Sequence, residues 1–180
     1  QFILSNCSYT ASDISEMSLS VLKSRSPSNA IINTVCCDIE SLPFDDSSFD
    51  IVASAGGLSY GNNDLVLSEI YRVLKPGGFF VCVDSLNHNP VYFLNRLLHC
   101  FRGRRTFSTL FRMPTLFLIS KYCRLFYSTH VYYFGSASWL MPLFALFIAP
   151  EKVQSISKFL DSLWCANIFS FKFVMVCGKK

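Results

Sequence analysis

Cys37-Asp38-Ile39-Glu40-Ser41-Leu42-Pro43-Phe44-Asp45-Asp46-Ser47-Ser48-Phe49-Asp50-Ile51-Val52 is the stretch on which the fold of this chain turns. It opens where an apolar, β-branched run, Ile31 to Cys37, stops at the polar Asp38 and Glu40, as a buried parallel strand does at its carboxyl end. It closes inside a second such run, Phe49 to Ala55. Pro43 and the acidic, serine-rich residues around it separate the two runs, so the segment reads as strand, polar turn, strand.

Working outward, Ser15 can cap a helix through Met17, Val21 and Leu22, which Ser26-Pro27-Ser28-Asn29 ends. Asp64 can cap another, with Leu67, Ile70 and Leu74 at i, i+3 and i+7 before Pro76, Gly77 and Gly78 stop it. Phe79 to Val83 is then a third buried strand. Alternation at this spacing predicts a parallel sheet covered by helices on both faces, with right-handed crossovers. The three strands should be parallel neighbours with their carboxyl ends on one edge. Residues 87–130 carry aromatic, leucine and arginine residues without a clear strand and read as a helical insertion. His130 to Phe134 and Phe169 to Cys177 are two further strands, separated by a helix near Glu151 to Leu163.

The 180 residues, 51% hydrophobic, supply one substantial core. Charge is divided along the chain. Residues 1–90 hold four Lys or Arg against ten Asp or Glu, and residues 91–180 hold twelve against two, so the halves should face different ligands. None of the eight cysteines forms a C-x-x-C pair, which argues against a metal or redox site. Cys36, Cys37, Cys82 and Cys177 read as small buried hydrophobes, and reduced thiols suit a cytoplasmic setting. The apolar runs Leu116 to Ile119 and Trp139 to Ala149 fall short of the roughly 20 residues needed to cross a bilayer, and Pro142 interrupts the second. Peripheral membrane contact stays open; no recognisable nucleic-acid-binding module is present.

In open α/β sheets ligands bind beyond the carboxyl ends of the strands. At one such end lies Ala11-Ser12-Asp13-Ile14-Ser15, where Asp13 can accept ribose hydroxyls or serve as a solvated, helix-capping acid. The 37–52 segment resembles class I S-adenosylmethionine-dependent methyltransferases, and Glu69-Ile70-Tyr71-Arg72-Val73-Leu74-Lys75-Pro76-Gly77-Gly78 resembles the helix and turn before the fifth strand of the same family. The resemblance is strong over residues 8–85 and weak over the final strand. It implies a Rossmann-like methyltransferase sheet of parallel strands with an antiparallel C-terminal strand, and S-adenosyl-L-methionine as cofactor. By the same resemblance Asp38 contacts the adenine amino group and the Ile39 amide the ring, while Asp13, Ile14, Ser54 and Ala55 complete the cofactor-binding set. Residues 1–86 form the cofactor-binding part, and residues 87–180 the acceptor-binding insertion with the C-terminal strands.

One departure is plain. A glycine loop normally precedes the ribose acid by about 20 residues, whereas only twelve residues precede Asp13 and none is glycine. The expectation is an N-terminal truncation that removes the first strand and its loop, with degeneration as the alternative.

Methyl transfer from a sulfonium depends on in-line orientation, and an acceptor that must lose a proton gains from a nearby base. His88, beyond the third buried strand, is the candidate base or else a loop histidine in a structural hydrogen bond. Tyr60 can position an acceptor or simply pack. Arg96, Arg102, Arg104, Arg105 and Arg112 share a stretch without an acid. They can pair with phosphate or carboxylate, or form a solvated basic face. Arg104, Arg105 and Arg112 are the substrate-binding candidates. The implied activity is methyl transfer to a small, anionic acceptor such as a sugar nucleotide or a lipid-linked metabolite. Its rivals are a catalytically inactive methyltransferase-like interaction subunit and a nicotinamide-dependent dehydrogenase, which would share the ribose acid but not the Asp38 and Leu-Pro-Phe segment.

Overall fold

A computed structural model describes residues 7–26, 32–104, 106–136, 147–149, 152–153, 155–156, 159–160 and 169–180. Arg105, Cys165 and most of the 139–149 and 151–163 segments lie outside the described residues. The chain divides into two compact units, Gln1–Phe44 and Asp45–Lys180.

In the first unit, β1 (Tyr9–Asp13), α1 (Glu16–Arg25) and β2 (Ile32–Cys36) form a parallel βαβ unit, in register from Tyr9 opposite Ile32 to Asp13 opposite Cys36. Ser15 caps α1 as expected, its hydroxyl oxygen accepting the Ser18 amide at 3.3 Å. The helix buries only Leu19, and Met17, Val21 and Leu22 are exposed. No residue of β2 is fully buried either, against the reading of this run as a buried strand. Two strands and one helix enclose too little volume to exclude water from a whole apolar face.

The second unit contains β3 (Phe49–Ala55), α2 (Asn63–Val73), β4 (Leu74–Ser85), α3 (Pro90–Phe101), α4 (Phe107–Arg112), α5 (Leu116–Leu125), β5 (Ser128–Phe134) and β6 (Lys172–Gly178). Its sheet order is β3-β4-β6-β5. β3 and β4 are parallel, and β6 runs antiparallel between β4 and β5, so the mixed sheet carries the antiparallel C-terminal strand expected of it. The 87–130 insertion is helical, as α3, α4 and α5. One expectation is corrected: β2 pairs with β1 and not with β3, so only β3 and β4 of the three strands are neighbours. β3 is also less buried than its sequence suggested, with Ile51 64% exposed, because it stands at the end of the sheet order.

The entry to β4 differs in detail from its sequence reading. Asn62, not Asp64, caps α2, its Oδ1 accepting the Asp64 amide at 3.0 Å, and Asp64 occupies the first turn, where a carboxylate complements the helix dipole. The helix passes straight into β4 at Leu74, ahead of the glycines, and the β3–β4 register slips between Phe49 and Ile51. Gly78 is required at the slip: a Cβ there would sit 2.9 Å from the carbonyl oxygens of both Asp50 and Lys75.

The core lies against β4. Phe80 is fully buried, with ring centroids 5.7 Å from Tyr122 and 6.4 Å from Phe126, while Tyr71 meets Phe126 edge-on at 5.3 Å. Cys82 and Cys177 are buried as expected, but Cys36 is exposed and Cys37 only half-buried, in the small first unit. Phe80→Ala should destabilise the protein by about 3–5 kcal/mol through lost burial and an unfilled cavity. Urea denaturation followed by circular dichroism should show this as a lowered midpoint with an unchanged slope.

Candidate functional site

Two carboxyl-terminal sheet edges gather the polar groups, one in each unit. In the first unit the ladder continues past β2, with the Cys37 amide donating to the Asp13 carbonyl at 3.1 Å, which sets Asp13 and the turn carrying Asp38 on the same edge. Asp13 Oδ1 accepts the Ser15 amide at 2.8 Å, and Asp38 Oδ1 accepts the Glu40 amide at 2.9 Å. Each carboxylate thus shapes the turn after its own strand, and both side chains are exposed. Ile14 is exposed in the first turn and Ile39 half-buried in the second. Carboxylate oxygens aimed beyond a strand edge suit hydroxyl and amino donors.

In the second unit Ser54 and Ala55 end β3, and Gly56 turns the chain at φ +76° while its amide donates to the Val83 carbonyl at 2.9 Å. A cavity of about 550 Å³ opens beyond the carboxyl ends of β3 and β4. Gly56, Ser59 and Tyr60 come to it from the loop after β3, and Asp84 and Ser85 from the end of β4. Tyr92, Asn95, Arg96 and His99 project into it from α3 at i, i+3, i+4 and i+7, one face of the helix. Arg104, Thr109, Met113 and Phe171 complete the wall. Asn89 orients α3 by accepting the Val91 amide at 3.0 Å and donating to the Phe169 carbonyl at 2.7 Å.

The buried cation Arg96, 7% exposed, donates to the Leu86 carbonyl at 2.8 Å. Its guanidinium lies 5.5 Å from the centre of the Phe171 ring and 6.0 Å from that of Tyr92, rings that stack at 4.2 Å. Arg96, Arg104 and His99 make this wall a place for an acceptor's negative or strongly polar group, and the stacked rings offer an apolar platform beside it.

Of the residues singled out from sequence, Tyr60 and Arg104 line this cavity. Arg112 reaches it indirectly, donating to the Tyr60 carbonyl at 2.9 Å and so holding that loop. His88 is not part of the wall: its Nε2 accepts the Leu116 amide at 2.8 Å, which commits the lone pair a base would need to the start of α5. The histidine of the cavity is His99. Asp84 and His99 were not singled out from sequence, and Arg96 was named only as one of a basic group, although each left a signal. Asp84 is an acid at the end of a buried strand, and Arg96 and His99 belong to the polar i, i+3, i+4, i+7 pattern of a helix whose other positions are apolar.

Residues 2–82 match a protein family described as a methyltransferase domain. The chain is 40% identical over 85 residues to the mitochondrial 2-methoxy-6-polyprenyl-1,4-benzoquinol methylase of Drosophila melanogaster, covering 42% of this chain and 28% of that protein. It is 44% identical over 77 residues to a demethylmenaquinone methyltransferase of Staphylococcus epidermidis, covering 42% of this chain and 32% of that protein. The chain therefore spans about a third of the length of these relatives. Among solved structures it resembles Phospholethanolamine N-methyltransferase 2 of Haemonchus contortus, in complex with phosphomonomethylethanolamine and S-adenosylhomocysteine, with a TM-score of 0.58 at 16% identity over 94% of this chain and 43% of that one. It also resembles the [4+2]-cyclase SpnF, with a TM-score of 0.56 at 19% identity over 96% of this chain and 66% of that one. At these identities the structural likeness shows the fold alone.

Asp84 is the electrostatic centre of the second-unit cavity. Its side chain is 5% exposed and accepts the Ser85 amide at 2.6 Å and the Leu58 amide at 3.1 Å. Burial pushes its carboxyl above the ordinary range, while the two amides, the Ser59 hydroxyl and the Arg96 charge pull the other way without cancelling it. Because the folded state holds this proton more tightly than the unfolded chain does, the stabilising contribution is complete below the unfolded value of about 3.9 and is lost as pH rises through the elevated folded value. The melting temperature should accordingly decline faster above about pH 4 in the wild type than in Asp84→Asn. Parallel melting curves for the two proteins would remove Asp84 from this account.

Proposed function

We propose that this chain, whose residues 2–82 match the methyltransferase domain family and which has the class I Rossmann-like fold, takes part in methyl transfer from S-adenosylmethionine to a small acceptor bearing an anionic or acidic group. The observation that carries the acceptor assignment is the cavity beyond β3 and β4, where Arg96, Arg104 and His99 meet a stacked aromatic pair.

The donor chemistry of the first unit fits the nucleoside part of the cofactor. Asp13 and Asp38 supply acceptors on one sheet edge, the first for ribose hydroxyls and the second for an exocyclic amino group, and Ile39 offers a backbone amide in the same turn. Bound, the cofactor supplies an electrophilic methyl group on a sulfonium. The chain's own contribution is to hold and orient the acceptor, with the cationic wall fixing its negative end and Tyr92 and Phe171 flanking its apolar part. Asp84, whose carboxyl burial pushes above its ordinary range, stands in the cavity wall as the candidate base for an acceptor hydroxyl. The names of the two curated relatives, a benzoquinol methylase and a demethylmenaquinone methyltransferase, favour a quinol-type ring as one acceptor, and sugar nucleotides and other phosphorylated metabolites are the anionic alternative.

Losing a hydrogen bond to an ionised group costs about 1.5–3 kcal/mol, so Asp13→Ala and Asp38→Ala should each weaken cofactor binding roughly ten- to hundredfold. Titration calorimetry with S-adenosylhomocysteine reads this directly, and unchanged affinity would exclude the ribose and adenine assignments. Arg104→Ala should raise the Michaelis constant for an anionic acceptor, more at low than at high salt, and leave cofactor affinity alone. Steady-state kinetics at two ionic strengths distinguish this from a loss of cofactor binding.

A further inference from the structure

We infer that the outer face of α3 and α4 is a docking surface for an anionic lipid bilayer. The apolar stripe on which the inference rests is made of side chains other than those that carry the methyl-transfer reading.

The helix α3 has three faces. Tyr92, Asn95, Arg96 and His99 point to the cavity; Phe93, Leu97 and the buried Cys100 pack with Leu110 and Met113. The third face carries Val91, Leu94, Leu98 and Phe101, at i, i+3, i+7 and i+10, and all four are exposed, Leu94 at 57% and Phe101 at 72%. Helical periodicity places them in one stripe along the side of the helix next to the cavity face. At its end Phe101 meets Phe107 of α4 edge-on, with centroids 5.7 Å apart, and Phe111 of the same short helix is 73% exposed. A contiguous set of large apolar side chains left in water calls for something to cover it.

Charge identifies the cover. No Asp or Glu occurs between Asp84 and Glu151, while seven Lys or Arg do, among them the exposed Arg102, which caps α3 next to Phe101 at the end of the stripe. A second copy meeting this patch about a two-fold axis would set like charges against one another, which an interface avoids. An anionic headgroup layer satisfies both features at once: the cations lie among the headgroups while leucine and phenylalanine side chains enter the acyl boundary. No helix among the described residues is long and apolar enough to cross a membrane, so the contact would be made from one side. It would also bring the rim of the cavity, lined from the same α3 and by Thr109 of α4, close to molecules dissolved in the lipid.

The test is vesicle co-sedimentation of the full chain, with no methyl donor or acceptor present, so its result is separable from the functional reading above. Vesicles of equal parts phosphatidylcholine and phosphatidylglycerol should bind the protein at least about tenfold more tightly than phosphatidylcholine alone, and salt should weaken the binding. Leu94→Glu with Leu98→Glu should reduce binding to the mixed vesicles at least about tenfold, with the helical circular-dichroism signal kept. If that variant misfolds, Phe111→Ser should show the same direction of change, at a position outside the core. Equal binding to both vesicle types, no binding to either, or a wild-type dimer that the leucine substitutions dissociate would overturn the proposal.

Discussion

The backbone of β4 is the constraint on which the second unit depends. It hydrogen-bonds to β3 on one side and β6 on the other, in opposite senses, and presents Phe80 and Cys82 to the core while carrying Asp84 next to its end. A strand paired on both edges has no unsatisfied ladder groups to solvate, so its inward residues can be fully apolar and its carboxyl end can be held still enough to support a buried acid. The loop after β3 is tied to that acid through the Leu58 amide, and α3 to the chain just beyond it through the Arg96 bond to the Leu86 carbonyl. The cavity is therefore defined from the sheet outward.

Much of this was legible in the residues. Ser15 as a cap, the parallel relation of β3 and β4, the helical nature of the 87–130 segment and the antiparallel last strand all follow from side-chain periodicity, turn chemistry or family resemblance, since each depends on neighbours close in sequence or on a recognisable string. Which strands pair with which did not follow. Ile31 to Cys37 and Phe49 to Ala55 look equally apolar, yet one pairs with β1 alone and the other stands at the end of the second sheet, because pairing is decided by elements distant in the chain. The choice of Asn62 over Asp64 as a cap turned on a two-residue difference in helix start, which propensity does not resolve.

The site divides in the same way. Asp13 drew attention as an acid at a strand end, and Asp38 through the family resemblance of its string. His88 was singled out for its place beyond a strand, but its partner, the Leu116 amide, lies 28 residues away and is visible only in three dimensions. His99 sits on a helix whose apolar character dominates the sequence, so its polar face emerges only when the helical repeat is projected onto the cavity. The arginines are similarly mixed: Arg96 is buried against two rings, Arg112 holds a loop, and Arg104 faces the cavity, although the sequence presents them as one basic run.

The position of β6 has a consequence for the order in which the molecule is assembled. Residues 172–178 are made after β4 and β5, yet they lie between them in the sheet. Until they arrive, β5 has no partner in this sheet and β4 has one bare edge, so the growing chain carries both strands incompletely paired until β6 emerges. Sheet completion is thus a late, long-range closure. Lys179 fastens it, its ammonium donating to the Tyr71 and Leu74 carbonyls at 2.7 Å each, where α2 passes into β4. A chain without residues 172–178 would keep most of its core residues and have no way to join the two halves of its second sheet.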